Sequence, residues 1–208
     1  MIRVLAVALL LVGCGKKAPS LTDESCRLAP ACSQIGACGA RNGACVAVAD
    51  EDCARTTGCP SLGWCVARGG QCVATEATCA SNDNCKVLGW CTLRNGKCVA
   101  GSEKDCLASK KCTVLGECTF SGGRCTLTTD ADCQRSEKCT VMAECTLVEG
   151  KCALASSTDC QKARGCTNDG ACTLVGQRCS LVSDADCKLT RACTESKKCR
   201  LKDGRCVL

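Results

Sequence analysis

The chain has 208 residues, of which 29 are cysteine; it has no histidine and no tyrosine, a single phenylalanine, and a formal net charge of +6. Apolar residues make up 46%, but roughly a third of that share is cysteine and most of the rest is Ala, Val and Leu, too little bulk for one large globular core. Without histidine no Cys–His nucleophile can form, and no other catalytic motif stands out, so the expectation is a protein that is not an enzyme.

Residues 1–13 read MIRVLAVALLLVG, with Arg3 ahead of a short apolar run, Val4 to Val12. A bilayer span needs ~20 residues, so the pattern predicts an export signal over 1–13. The run ends in Leu11-Val12-Gly13-Cys14, which resembles the lipobox of bacterial lipoproteins. The resemblance implies that the peptide before Cys14 is removed, that the Cys14 sulfur carries a diacylglycerol and that its new amino group is acylated. Two or three acyl chains at ~0.8 kcal/mol per buried CH₂ hold a protein to a membrane stably. In that family an Asp after the cysteine favours inner-membrane retention; Gly15 stands here, which implies the outer membrane. Residues 14–21 then form the lipidated cysteine and a tether, and the rest of the chain faces an oxidising space in which disulfides persist.

The other 28 cysteines fall into seven copies of C-x5-C-x5-C-x6-C, beginning at Cys26, Cys53, Cys79, Cys106, Cys133, Cys160 and Cys187. They divide the chain into repeats at 22–48, 49–74, 75–101, 102–128, 129–155, 156–182 and 183–208. Zinc sites favour C-x2–4-C pairs, often with His, so no metal is expected, and no cofactor beyond the lipid on Cys14. Beyond the lipobox, the chain is similar over residues 22–208 to cysteine-rich tandem-repeat lipoproteins of Gram-negative bacteria, a resemblance of cysteine and glycine spacing that implies no particular activity. The expected fold class is an elongated array of small disulfide-rich units, each a short helix plus a β-hairpin with two disulfides.

Within a repeat the helix comes first. Four residues before the first cysteine stand Thr22, Ala49, Thr75, Ser102, Thr129, Ser156 and Ser183; one residue before it stand Ser25, Asp52, Thr78, Asp105, Asp132, Asp159 and Asp186. This capping-box-like pattern predicts a helix of two or three turns ending near the second cysteine. Gly36, Gly63, Gly89, Gly116 and Gly170 then mark a turn, with Ala143 and Lys197 in the same register. Between the third and fourth cysteines sit Asn42-Gly43, Gly69-Gly70, Asn95-Gly96, Gly122-Gly123, Glu149-Gly150, Gly176-Gln177 and Asp203-Gly204, the chemistry of two-residue hairpin turns. In the third repeat that turn sets Leu93 opposite Cys98 and Arg94 opposite Lys97, with Cys91, Leu93, Cys98 and Ala100 on one face. The last repeat places Cys199, Leu201, Cys206 and Leu208 there.

Four cysteines allow three pairings. The third and fourth lie diagonally on one hairpin face, too far apart to bond, so both are expected to reach toward the helical half. The pairing favoured is first with third and second with fourth, as Cys187–Cys199 and Cys193–Cys206; first with fourth and second with third is the alternative.

Lys97, Arg124, Lys151, Arg178 and Arg205 occupy one register just before each fourth cysteine, facing Arg41, Arg68, Arg94 and Lys202. The expected reading is a solvated face balanced by the acidic ladder of Asp52, Asp105, Asp132, Asp159 and Asp186; the alternative is a stripe for polyanions, strongest in residues 187–208, with seven Lys/Arg against two Asp/Glu. Trp64 and Trp90 share the register before the third cysteine, either as a contact patch or as covers for their own cores. Asp184 and Asp186 read as helix-capping acids rather than a Ca²⁺ site. The resulting expectation is a lipid-anchored cell-envelope structural or interaction protein, a spacer or adhesin-like binding array. Its partners are the membrane through the anchor and an envelope polysaccharide or protein, with no specific nucleic-acid binding. A tandem inhibitor of secreted proteases and a thiol-based metal or redox buffer are the alternatives.

Overall fold

In the fourth repeat, Ser102 accepts a hydrogen bond on its hydroxyl from the Asp105 N–H and opens a helix over Glu103–Leu107. Glu103 and Asp105 lie in its first turn, where carboxylates suit the helix dipole. The expected single helix then breaks in two. The hydroxyl of Ser109 donates to the Cys106 carbonyl at 2.7 Å and accepts from the Cys112 N–H at 3.2 Å, closing the first helix and capping a second one over Lys110–Leu115. Ser136 and Thr190 do the same in repeats five and seven. All three are buried, at 0%, 1% and 2% exposed. The second cysteine thus sits in the first turn of a second helix rather than at the end of the first. The computed structural model describes residues 21–208, so the signal segment, Cys14 and most of the tether lie outside the described residues.

The second helix ends on Gly116 in the left-handed conformation, φ 80°, and this reversal decides the disulfides. The Gly116 N–H donates to the Cys112 carbonyl and the Glu117 N–H to that of Lys111, folding the chain back so that Cys118 meets Cys112 with Cα atoms 4.4 Å apart. The fourth cysteine, on the second strand, reaches the first helix as Cys106–Cys125. All seven repeats follow this scheme, with fourteen bonds in total. The favoured pairing of Cys187–Cys199 and Cys193–Cys206 is therefore corrected to Cys187–Cys206 and Cys193–Cys199. The third cysteine is not on the hairpin; it closes the helical turn beside it.

Each repeat finishes with the expected antiparallel hairpin. Leu93 pairs with Cys98 and Arg94 with Lys97. Both central turn residues take positive φ in six repeats, while in the sixth only Gly176 does, in line with type I′ turns and one type II′ turn. The hairpin is tied to its own first helix. Ala40, Ala67, Leu147 and Leu201 donate backbone N–H groups to Asp23, Asp50, Asp130 and Asp184 at 2.7 to 2.8 Å, and Glu76, Glu103 and Ser157 accept the equivalent bonds. The first cysteine is fully buried in every repeat. Sulfur, with one or two small apolar neighbours, is the core.

Neighbouring repeats join by a recurring contact. The Thr119 hydroxyl donates to the Asp132 carboxylate of the next repeat at 2.9 Å, and that carboxylate also accepts from the Thr128 and Thr129 N–H groups. Thr92–Asp105, Thr146–Asp159 and Thr173–Asp186 repeat the arrangement. The helix-ending glycine rests on the following unit: a Cβ on Gly89 would stand 2.8 Å from the Asp105 carbonyl oxygen and 2.9 Å from Cys125 Sγ. From repeat two to repeat seven, each second helix also packs on the next. Leu208 is 79% exposed whereas Ala100, its counterpart, is 0%, because Cys106 and Cys125 of the following repeat cover Ala100.

In the chain-entropy account, the bond spanning 19 residues contributes about 3 kcal/mol and the one spanning 6 about 2 kcal/mol. The double substitution Cys133→Ala/Cys152→Ala is therefore expected to cost more stability than Cys139→Ala/Cys145→Ala, by about 1 kcal/mol in guanidinium unfolding followed by circular dichroism. A larger loss from the shorter loop would contradict this account of the repeat.

Candidate functional site

The hairpin cations Lys97, Arg124, Lys151, Arg178 and Arg205, and Arg41, Arg68, Arg94 and Lys202 opposite them, are all exposed. Arg41 pairs with Asp23 at 3.3 Å. None of the other eight is within salt-bridge distance of an acid among the described residues. Four of the five acids of the ladder that was expected to balance them, all but Asp52, are drawn into the junctions instead. Asp132, Asp159 and Asp186 are 4%, 2% and 3% exposed and hydrogen-bonded to backbone and threonine.

At Asp132 and Asp186 the surroundings favour the ionised form. Burial raises the pKa of Asp132, but the Thr128 N–H, the Thr119 hydroxyl and the Thr129 N–H outweigh it and hold the group below the usual carboxylate value. Asp186 is lowered likewise: burial raises it, and bonds from the Val182 N–H, Thr173 and Ser183 prevail. At the exposed Asp23, the Ala40 N–H and then Arg41 lower the pKa. Asp184 is engaged by the Leu201 N–H and Asp186 by its cap, so both acids cap and tie the fold as the spacing implied. Among the described residues, no group of three or more His, Cys, Asp or Glu is placed to hold a metal ion.

Grooves run across the junctions. One of about 630 Å³ crosses repeats one to three and is lined by Ile35, Val46, Trp64, Val73 and Lys97. A second of about 360 Å³ has Leu115 and Leu127 with Lys151, and a third of about 210 Å³ has Met142 and Leu154 with Arg178. A hairpin cation lines each of them.

The two tryptophans part company. Trp90 packs against the Cys79–Cys98 core and Ala100 of its own repeat and against Cys106 and Cys125 of the next, so it belongs to a junction. Trp64 lies over Gly58, remains 38% exposed and lines the groove of about 630 Å³; it is the one left as a contact residue. In this register Glu117 and Glu144 pair with Lys111 and Lys138.

Two sets of residues escaped the sequence reading. The buried Ser109, Ser136 and Thr190 stand three before a second cysteine, a spacing that itself signals a helix cap. Thr92, Thr119, Thr146 and Thr173 each directly follow a third cysteine, and each has an Asp thirteen residues on. Comparison with known proteins finds no matching family, no matching curated protein and no matching solved structure.

Because the Asp132 and Asp186 pKa values are lowered in the folded state, their contribution to stability is complete above the unfolded value of about 3.9 and is lost as pH falls through the folded values. Asp132→Asn/Asp186→Asn is therefore expected to have a lower urea midpoint than the parent near neutral pH, with the gap closing on acidification; a gap unchanged down to about pH 2 would contradict the assignment. For the tryptophans, Trp90→Phe leaves an indole that acrylamide quenches readily, and Trp64→Phe leaves a more shielded one. Equal quenching in the two variants would overturn the distinction.

Proposed function

We propose that the chain is a lipid-anchored, non-catalytic protein of the cell envelope, a stapled array that holds interaction surfaces away from a membrane. The observation that supports it best is the junction that recurs four times: polar groups of one unit are spent on its neighbour, as in Thr119–Asp132, while the hairpins carry exposed cations. A spacer or adhesin-like array needs that combination. The anchor rests on the lipobox-like Leu11-Val12-Gly13-Cys14, and the disulfides suit an oxidising compartment.

A second reading draws on the hairpin tips. Cβ atoms added at Gly43, Gly69, Gly96 and Gly122 would meet nothing within 4 Å, so the tips are open loops braced by disulfides, a form suited to blocking proteases. A thiol-based buffer would need free thiols, and the repeat cysteines stand in disulfides.

Expressed in a Gram-negative host, the parent chain is expected in the membrane fraction with its acyl groups visible by intact mass, and Cys14→Ser in the soluble periplasmic fraction without them. A soluble, unacylated parent would dismiss the anchored reading. Stoichiometric inhibition of an exported protease would favour the inhibitor over the spacer.

A further inference from the structure

One groove differs from the other two in what lines it. The groove of about 630 Å³ takes its lining from repeats one, two and three, so it lies within the array. Trp64, Ile35, Val46 and Val73 give it an apolar surface, Gln34, Gln71 and Asn95 set three carboxamides along it, and Lys97 is the one charged residue of its lining. The groove of about 360 Å³ is lined instead by three charged residues, Glu117, Lys138 and Lys151, and neither of the other two grooves has an aromatic residue in its lining.

A glycine holds the indole of Trp64 in this position. A Cβ added at Gly58, the first residue of the second helix of repeat two, would stand 3.1 Å from Cε3 of the Trp64 ring. A side chain there would push the ring, so the glycine leaves the indole its seat. Repeat three carries Asn84 in the register of Gly58, and its own tryptophan, Trp90, packs into a junction instead. Trp64 is therefore a flat apolar surface, 38% exposed, set in the same groove as three amides that are themselves exposed. Lys97 is exposed as well and forms no salt bridge among the described residues.

We infer that this groove is a binding site for an uncharged glycan, a run of pyranose sugars of which one ring stacks on Trp64 while the hydroxyls meet Gln34, Gln71 and Asn95. The inference rests on the interaction-array reading and names its partner. A pyranose has two kinds of surface: a face of carbon-bound hydrogens, which the electron-rich face of an indole attracts, and a rim of hydroxyls, each a donor and an acceptor. A carboxamide supplies both a donor and an acceptor from one side chain. A wholly apolar ligand would desolvate the three amides without bonding them, which costs binding. A polyanion needs a row of cations, and this groove holds only Lys97. A peptide added as a strand would find hairpin strands of three residues, a short edge to pair with. The volume lies within the ~300–1,000 Å³ of small-ligand sites, room for a short run of sugars.

The test borrows residues that other repeats already carry in these registers. Cellohexaose, chitohexaose and maltohexaose are titrated by calorimetry into the full chain, in a detergent without a sugar headgroup. At least one is expected to bind the parent, with an affinity nearly independent of salt. Trp64→Ala, which reproduces Ala37 and Ala171, is expected to bind that sugar about tenfold more weakly. Gly58→Asn keeps the tryptophan but takes its seat, using the residue of repeat three, and is expected to weaken binding too. Lys97→Gln is expected to lose less than Trp64→Ala does. Should Trp64→Ala lose the circular dichroism of the parent, Gly58→Asn carries the test. The inference is overturned if none of the three sugars binds, if the folded tryptophan-site variant binds as the parent does, or if Lys97→Gln costs the most and binding falls steeply with salt, the mark of an anionic ligand. The assay uses purified protein and does not depend on acylation, so its failure is distinct from a failure of the Cys14 fractionation.

Discussion

The bond between the first and fourth cysteines is the core of a repeat and also the floor on which its neighbour stands. Cys125 shows both roles: it ties its hairpin to the first helix through Cys106, and its sulfur faces the glycine that ends the second helix of the preceding unit. A unit of about 27 residues cannot bury enough apolar area to fold alone. A disulfide removes freedom from the unfolded chain instead of adding oily surface to the folded one. Side chains around it can therefore stay small, and small side chains let the next unit approach closely. Where a large one intrudes, as with Trp90, it is shared between two cores.

Close approach brings backbone polar groups into the interface, and these must be satisfied. The aspartate before each first cysteine meets the need in four repeats. It caps its own helix entry through two N–H groups and takes a threonine hydroxyl from the unit behind, as Asp132 does. The first two junctions show the coupling by its absence. Gly39 and Val66 replace the threonine there, and the residues before the next first cysteine are Asp52, which accepts only from the Val48 and Ala49 N–H groups at its own helix entry, and Thr78, which pairs with Thr75. The junction is thus a two-residue device assembled from different repeats.

This explains which features were legible in the sequence. The hairpins were, because Asn95-Gly96 and the alternation around it are local and leave one register. The caps at Ser102 or Ser183 were, for the same reason. The disulfide partners were not, because they depend on the direction in which the chain leaves the second helix. The left-handed turn at Gly116 folds Cys118 back onto Cys112, whereas a cysteine continuing into the hairpin would have met the first helix. The break at Ser109 was present as a Ser-x-x-Cys spacing, yet an unbroken helix satisfied the same glycine signal downstream. The inward role of Asp132 was hidden because its partner belongs to another unit.

Charge follows the same division by register. The net charge of +6 treats acids and bases as equivalent, but the structure does not. Three acids of the ladder are withdrawn into junctions and held ionised by backbone donors where the pKa is lowered, as at Asp132 and Asp186, while the hairpin cations face solvent. A partner approaching the array would meet a surface more positive than the composition suggests, since a buried, hydrogen-bonded carboxylate is poorly placed to pair with an arginine on a hairpin edge. The imbalance grows wherever a junction register is filled by a cation instead of a small or polar residue. The seventh repeat carries this furthest, with Lys197, Lys198 and Arg200 in the registers that hold Gly170, Ala171 and Thr173 in the sixth.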